Sequence, residues 1–145
     1  MKELRTEIEI NASAERVWEV LIDFPAMGEW NPFIASLEGT AKVGERLTVR
    51  LTPPGGGGMT FKPTVLRADA GKELRWLGRL LIRGLFDGEH YFLIEPLDGG
   101  RIRFVHGELL TGLLVPITGL LGVLKSTQAG FEEMNRALKE RAESG

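Results

Sequence analysis

The first ten residues alternate between polar and apolar side chains. Over Glu3–Ile10 the charged residues fall on one face and the apolar residues and a threonine on the other, which is the period-two pattern of a half-buried strand. Ser13 is placed to cap a short helix in which Trp18 is a core position. Pro25 is expected to end that helix, with one further turn over Ala26–Trp30.

The middle of the chain repeats strand and turn signals. Six segments have strand character, and turns rich in glycine, proline and aspartate separate them. The six candidate strands are Phe33–Glu38, Arg46–Thr52, Met59–Ala68, Glu73–Leu80, Leu85–Glu95 and Arg101–Leu110. With the first strand they predict about seven antiparallel strands.

The last third of the chain changes to a helical period. Apolar residues recur at every seventh position, at Ile117, Leu124, Phe131 and Leu138, while charged residues occupy the other faces. Pro116 is expected in the first turn, where its missing N–H costs nothing. This pattern predicts a terminal helix of more than about twenty residues.

These elements predict a single α+β domain over residues 1–145. A seven-stranded sheet curls because strand twist accumulates across it. The long terminal helix is the natural cover for the concave apolar face of such a sheet. One helix does not fill that concavity, so we expect a cavity between the sheet and the helix.

Several segments resemble a known superfamily. The stretches Ile10–Leu21 and Glu29–Phe33 are similar to the opening of the SRPBCC superfamily, which includes START-like and Bet v 1-like proteins and the polyketide cyclase/dehydrase and lipid-transport branch. Further matches lie at Leu74–Trp76, Gly88–His90 and Phe131–Asn135, so the resemblance covers essentially the whole chain. It implies a helix-grip fold with a deep ligand cavity. Its members include lipid carriers, hormone receptors, cyclases and chaperone activators.

Composition and charge narrow the function classes. The chain has 18 basic and 20 acidic residues and no cysteine. The absence of a basic excess argues against non-specific nucleic-acid binding. The absence of cysteine excludes disulfides, thiolate zinc fingers and a cysteine nucleophile.

Two segments bear on location. Residues 1–10 lack the apolar run of a signal peptide, so a cytoplasmic location is expected. Leu109–Leu124 carries no charge, but it is interrupted by glycines and Pro116 and is shorter than the roughly 20 residues of a membrane span. We interpret it as a strand end that runs into a buried helix, and we expect no membrane span.

Candidate chemistry concentrates on two adjacent strands. Alternation places His90 and Phe92 on the inward face of one strand, and Phe104, His106 and Glu108 on the inward face of the next. A hairpin over residues 97–100 would place His90 opposite His106 or Glu108. Three interpretations remain open: a satisfied buried network, a polar anchor for a ligand, or a metal site of two histidines and one carboxylate.

The predicted ligand-contacting residues combine this polar patch with nearby aromatic and helical positions. They are Trp30, Phe61, Trp76, His90, Phe92, Phe104, His106, Glu108, Gln128 and Phe131. A core role is the alternative for the two tryptophans. Gln128, with Thr127 and Gly130, is either a notch that opens into the cavity or a tolerated break in the helix stripe.

Three functions follow from this site and from the resemblance. The first is binding or transport of a small hydrophobic or amphipathic molecule, such as a lipid, isoprenoid, polyketide or aromatic compound. The second is a cyclase or dehydratase in which His90 or His106 moves protons and Glu108 sets the tautomer. The third is an interaction module of the chaperone-activator kind, which predicts an exposed apolar patch and a filled cavity. No cofactor and no metal are assigned, and the sequence does not define an oligomeric state.

Overall fold

The computed structural model describes residues 2–55, 57–80, 86–112 and 120–145. Strands are its most abundant regular structure, with helices near the start and at the end of the chain. The strands are β1 (Lys2–Ile10), β2 (Ile34–Glu38), β3 (Thr48–Leu51), β4 (Met59–Phe61), β5 (Thr64–Asp69), β6 (Glu73–Leu80), β7 (Phe86–Pro96) and β8 (Ile102–Thr111). The helices are α1 (Ala14–Ile22), α2 (Met27–Trp30) and α3 (Leu120–Glu143), with 3₁₀ turns at Phe24–Ala26 and Asp98–Gly100.

The strands of the described residues form two antiparallel sheets. Five strands pair in the order β1-β8-β7-β6-β5, and three pair in the order β2-β3-β4. The α+β helix-grip architecture is therefore confirmed, but the predicted count of seven strands is corrected to eight. The predicted strand Met59–Ala68 breaks at Lys62-Pro63 into β4 and β5, which belong to different sheets. Pro63 has no N–H to donate to a ladder, which accounts for the break.

The helices begin where the local sequence supplies caps. The Ser13 hydroxyl accepts a hydrogen bond from the Arg16 N–H at 3.1 Å, as predicted for the start of α1. Pro25 lies in the first turn of the 3₁₀ segment that follows. Buried Asn31 accepts from the backbone N–H groups of Phe33 and Ile34 at 2.9 and 2.8 Å, which turns the chain from α2 into β2.

The terminal helix α3 packs across the sheet and supplies much of the core. Phe131, Met134 and Leu138 on its inner face are fully buried, and Trp18 packs against the same core from α1. A Cβ on Gly130 would collide with the ring of Phe33, so this glycine allows α3 to pack closely against Phe33, the residue before β2. The predicted helix positions Pro116 and Ile117 lie outside the described residues.

None of the helices in the described part of the chain combines the length and the apolar character that a membrane crossing requires.

Candidate functional site

The β7–β8 hairpin brings the two histidines and Glu108 together. The register pairs His90 with Glu108 and Phe92 with His106. Of the two pairings that the alternation allowed for His90, the structure has the one with Glu108. His106 lies diagonally across from His90, two positions along β8. All three side chains therefore belong to the concave face of the five-stranded sheet.

The two histidines are in direct contact. Their Nε2 atoms lie 2.7 Å apart, which is a short hydrogen bond. His90 is 2% exposed and His106 is completely buried. A hydrogen bond between two ring nitrogens requires that one carries a hydrogen and the other a lone pair. The protonation of each ring therefore depends on its remaining neighbours.

A polar chain behind His106 decides which nitrogen carries the hydrogen. The Thr6 hydroxyl lies 2.9 Å from the backbone oxygen of His106, and a carbonyl can only accept, so Thr6 donates there. Thr6 Oγ1 must then accept from the Asn135 amide, whose Nδ2 lies 2.9 Å away. The Asn135 Oδ1 is left facing His106 Nδ1 at 3.0 Å. His106 therefore carries its hydrogen on Nδ1 and donates it to Asn135.

Burial keeps His106 neutral. Loss of hydration is the main cause that lowers the pKa of His106 well below its ordinary value of 6.5, and the neighbouring His90 lowers it further. The hydrogen bond to Asn135 opposes this shift without overcoming it. With Nδ1 protonated and the ring neutral, Nε2 of His106 is an acceptor, so His90 donates from its own Nε2.

Aromatic rings hold both imidazoles in place. Trp76 stacks on His90 at 5.3 Å between ring centroids, and Phe131 stacks on His106 at 4.0 Å. Phe92 lies against both histidines at 4.8 and 4.7 Å. This packing restricts ring rotation, so the histidine pair is a rigid unit.

A cavity of about 360 Å³ lies between the five-stranded sheet, the three-stranded sheet and α3. Its walls are mostly apolar, with contributions from both sheets and from the helix. Apolar contributors include Leu4, Phe33, Leu51, Phe61, Leu110 and Phe131. The polar side chains on its lining are His90, Glu108, Arg79 and Thr127. The histidine pair thus reaches the cavity through His90, while His106 stays behind it.

Two glycines keep the sheet side of the cavity open. Gly78 on β6 and Gly88 on β7 are register partners, and both line the cavity. A Cβ on Gly78 would lie 3.1 Å from the Phe61 ring, and one on Gly88 would lie 2.7 Å from Glu108 Oε2. A side chain at either position would therefore occupy space that now belongs to the cavity or to its lining groups.

Comparison with known proteins decides the family. The family profile described as polyketide cyclase/dehydrase and lipid transport matches residues 1–143. The chain belongs to this polyketide cyclase/dehydrase and lipid-transport family. The SRPBCC resemblance seen in the sequence is thereby confirmed. None of the individually curated proteins matches the chain.

Several solved structures have the same fold as this chain. A START superfamily protein from Mycobacterium smegmatis is 22% identical, with a TM-score of 0.76 and coverage of 98% of this chain and 97% of that one. A protein from Thermus thermophilus is 25% identical, with a TM-score of 0.75 and coverage of 99% and 98%. The ZhuI aromatase/cyclase from a Streptomyces species is 14% identical, with a TM-score of 0.73 and coverage of 98% and 93%.

The structure of this family member separates the predicted ligand-contacting residues into three groups. Phe61, His90, Glu108 and Phe131 line the cavity. Trp76, Phe92, Phe104 and His106 are buried in the core behind it. Half-buried Trp30 and exposed Gln128 are not among the lining residues, whereas Thr127, one position before Gln128, is. Contact of any of them with a ligand stays a prediction.

Sequence reasoning missed two members of the polar chain. Thr6 lies on the apolar face of β1, and Asn135 lies four residues after Phe131 on the inner face of α3. A polar residue on an otherwise apolar face was the available signal in both cases. The cavity-lining residues Phe33 and Arg79 were also missed as site residues.

The geometry bears on the three interpretations of the histidine and glutamate patch. Both ring nitrogens of His106 are engaged within the protein, by His90 and by Asn135, so His106 offers no free lone pair to a metal. Among the described residues, no group of three His, Cys, Asp or Glu side chains is arranged to hold a metal ion. His106 has the surroundings of a satisfied buried network, whereas His90 and Glu108 lie at the cavity wall.

Proposed function

We propose that this protein binds a small, largely apolar molecule in the cavity between the sheet and α3. The observation that carries the proposal is the cavity of about 360 Å³, whose walls are mostly apolar and whose few polar groups include His90 and Glu108. Sites with an apolar wall and a small number of convergent polar groups are typical of small-molecule binding. The family description, which joins polyketide cyclases with lipid transport, supports the same class of ligand.

The volume limits the size of the ligand. At about 360 Å³ the cavity lies near the lower end of the ~300–1,000 Å³ that small-molecule sites span. A molecule of a few fused rings or a single short chain fits this space, whereas a lipid with two long acyl chains does not. The protein is therefore proposed to bind compact aromatic, isoprenoid or polyketide-like molecules.

A second candidate function is acid–base catalysis on such a molecule. The observation that favours it is His90 at the cavity wall, with Nδ1 lying 3.8 Å from Glu108 Oε2. An imidazole whose tautomer is set by its neighbours is suited to proton transfer near neutral pH. The aromatase/cyclase among the structural neighbours shares the fold. Turnover that disappears in a His90→Phe variant, with ligand binding retained, would distinguish an enzyme from a carrier.

The interaction-module alternative has less support. It predicts a cavity filled by side chains and an exposed apolar patch. The cavity is open, and the large apolar side chains exposed in the described residues are Val43, Met59 and Leu66. Of these three, Met59 lies on the cavity lining, so its exposed surface belongs to the ligand site. The observations therefore favour a ligand-binding cavity over a docking surface.

The proposed function is tested by direct binding. Titration with the neutral fluorophore N-phenylnaphthylamine should give a saturable rise in fluorescence, and unlabelled naphthalene derivatives should displace it. Native mass spectrometry and organic extraction of the purified protein identify any molecule that is carried through purification. A protein that carries no such molecule and shows no saturable binding would overturn the proposal.

A further inference from the structure

The hydrogen-bonding character of the polar end of the cavity is set by groups outside it. The backbone oxygen of His106 accepts from the Thr6 hydroxyl, so Thr6 in turn accepts from the Asn135 amide nitrogen. The Asn135 amide oxygen then faces His106 and accepts the hydrogen that His106 carries on Nδ1. His90 therefore donates from Nε2 to His106. A neutral His90 ring is left with its lone pair on Nδ1, the nitrogen on the Glu108 side.

Nδ1 of His90 and the Glu108 carboxylate together form an acceptor-rich end. They lie 3.8 Å apart, which is too far for a direct hydrogen bond. When His90 is neutral, both groups are acceptors. When His90 is protonated, its Nδ1–H faces Glu108, and the carboxylate keeps further lone pairs for a ligand. In either state the pair offers an acceptor, and its net charge with an ionised Glu108 is negative or zero.

Nearby groups keep this end acceptor-rich. Gly88 has no side chain, and the Glu108 carboxylate occupies the place where its Cβ would lie. Arg79 also lines the cavity, but its side chain is 42% exposed and its Nε lies 4.0 Å from Asp87 Oδ1. The positive charge is therefore at a solvent-exposed edge and already faces a carboxylate, and the ion pairs of the described residues join it to Asp87 and not to Glu108.

We infer that the cavity selects an apolar molecule bearing a hydroxyl group, an alcohol or a phenol, over the matching ether and the matching carboxylic acid. This inference rests on the proposed function, because it assigns a chemical class to the ligand of the same cavity. A hydroxyl donates to the Glu108 carboxylate, which keeps lone pairs in either state of His90, whereas an ether has no hydrogen to donate. A carboxylate would meet the Glu108 charge in a space where water screens it poorly.

The test uses three probes that share one ring system: naphthol, methoxynaphthalene and naphthoic acid, each substituted at the same ring position. Affinities are measured by displacement of N-phenylnaphthylamine from the wild-type protein and from Glu108→Leu and Glu108→Gln variants. Glu140→Leu, an exposed glutamate on α3, serves as the matched control. Circular dichroism spectra confirm that each variant is folded.

The inference predicts a different set of affinities for the wild type and for each variant. In the wild type, naphthol should bind about tenfold more tightly than methoxynaphthalene, the effect of one hydrogen bond to a charged group. Naphthoic acid should bind most weakly. Glu108→Leu should remove the preference for the hydroxyl, Glu108→Gln should raise the affinity for the acid, and Glu140→Leu should change neither.

The outcomes separate this inference from the proposed function. Equal binding of naphthol and methoxynaphthalene by the wild type would overturn the hydroxyl preference while leaving the apolar cavity as a binding site. A preference that survives in Glu108→Leu would also overturn it, since the selecting group would then lie elsewhere. If N-phenylnaphthylamine binds but naphthol does not displace it, the hydroxyl preference is overturned and the cavity remains a binding site. If neither N-phenylnaphthylamine nor any of the three probes binds saturably, the proposed function itself fails, and the inference fails with it.

Discussion

Gly78 and Gly88 face each other across β6 and β7, and together they leave a bare strip of sheet at the cavity wall. Neither glycine adopts a left-handed backbone conformation, so side chains at these positions are compatible with the strand. Their contribution is therefore space rather than backbone freedom. Neighbouring inward positions on the same strands carry the large rings of Trp76 and His90.

A large side chain at Gly78 should weaken ligand binding without unfolding the protein. In Gly78→Leu the new side chain extends from a Cβ that already lies in tight contact with Phe61, at 3.1 Å, so it must occupy the cavity. We expect at least a tenfold loss of N-phenylnaphthylamine affinity, with a near-wild-type circular dichroism spectrum. The matched control is Gly57→Leu, where a Cβ meets no atom within 4 Å. Equal affinities of Gly78→Leu and the wild type would show that ligands bind elsewhere.

Asn135 should contribute to stability through His106. In Asn135→Leu the buried Nδ1–H of His106 loses its acceptor, and an unsatisfied buried donor costs about 1–3 kcal/mol of unfolding free energy. Urea denaturation measures this as a lower midpoint with an unchanged slope. Gln128→Leu also replaces an amide side chain by leucine, but at an exposed position of α3, and should have little effect. A comparable loss in both variants would contradict the polar chain.

The direction of the hydrogen bonds predicts the histidine tautomers. The chain contains two histidines, so nitrogen-15 NMR of the imidazoles gives two sets of signals. At mildly alkaline pH, His106 should carry its hydrogen on Nδ1 and His90 should carry its hydrogen on Nε2. Signals are assigned by comparison with a His90→Phe variant. The reverse tautomers would contradict the orientation of the Asn135 amide and, with it, the acceptor-rich end of the cavity.

The lowered pKa of His106 predicts loss of stability in acid. Burial holds the pKa of His106 below 6.5 in the folded protein, while the unfolded chain has the ordinary value. The unfolded state therefore binds more protons as the pH falls below about 6.5. The stabilisation is complete above that value and is lost progressively until the pH reaches the folded pKa, by up to about 1.4 kcal/mol per pH unit.

This acid effect is measured by urea denaturation over a pH series. The wild type should lose stability between about pH 6.5 and 5, and His106→Phe should show a shallower dependence over the same range. Acidic side chains affect both proteins alike, so the difference between the two curves reports the buried pair that His106 forms with His90. Identical slopes would mean that His106 does not stay neutral in the fold.

The β7–β8 hairpin and its inward-facing residues could be predicted from the sequence, because both depend on residues that are near one another in the chain. Alternation along β7 and β8 correctly placed His90, Phe92 and His106 inward, and a hairpin loop near Leu97–Gly100 restricted the register to two pairings. The strand break at Pro63 had a visible signal as well, since a proline inside a predicted strand argues against a continuous ladder. The count of eight strands was thus accessible in principle.

The hydrogen bonds between Thr6, Asn135 and His106 could not be predicted from local sequence patterns, because they depend on how α3 crosses the sheet. Thr6 and Asn135 lie 129 residues apart in the chain, and no periodicity within either element reports their contact. The same problem applies to Thr127 and Gln128. A helix advances by roughly 100° per residue, so a small error in its phase exchanges the residue that lines the cavity with the residue that faces solvent.

Tyr91 provides a test of the outer face of the sheet. It is the only tyrosine in the chain, and its hydroxyl donates to Glu3 Oε2 on β1 at 2.6 Å. A Cβ on Gly107 would collide with the Tyr91 ring, so this glycine lets the ring lie across β8. Burial, followed by the hydrogen bond to the Glu3 carboxylate, raises the pKa of the Tyr91 phenol to about 12.

The absorbance of tyrosinate should therefore appear about two pH units above that of a free tyrosine. In Glu3→Gln the carboxylate charge is absent, so the midpoint should move down towards the ordinary value while burial still keeps it above that value. Glu9→Gln, on the same strand but paired with Arg101, is the matched control and should leave the midpoint unchanged. Circular dichroism at each pH verifies that the protein is folded, because unfolding alone would return the phenol to its ordinary value. A wild-type midpoint near 10 in the folded protein would show that Tyr91 does not bridge β7 and β1 in solution.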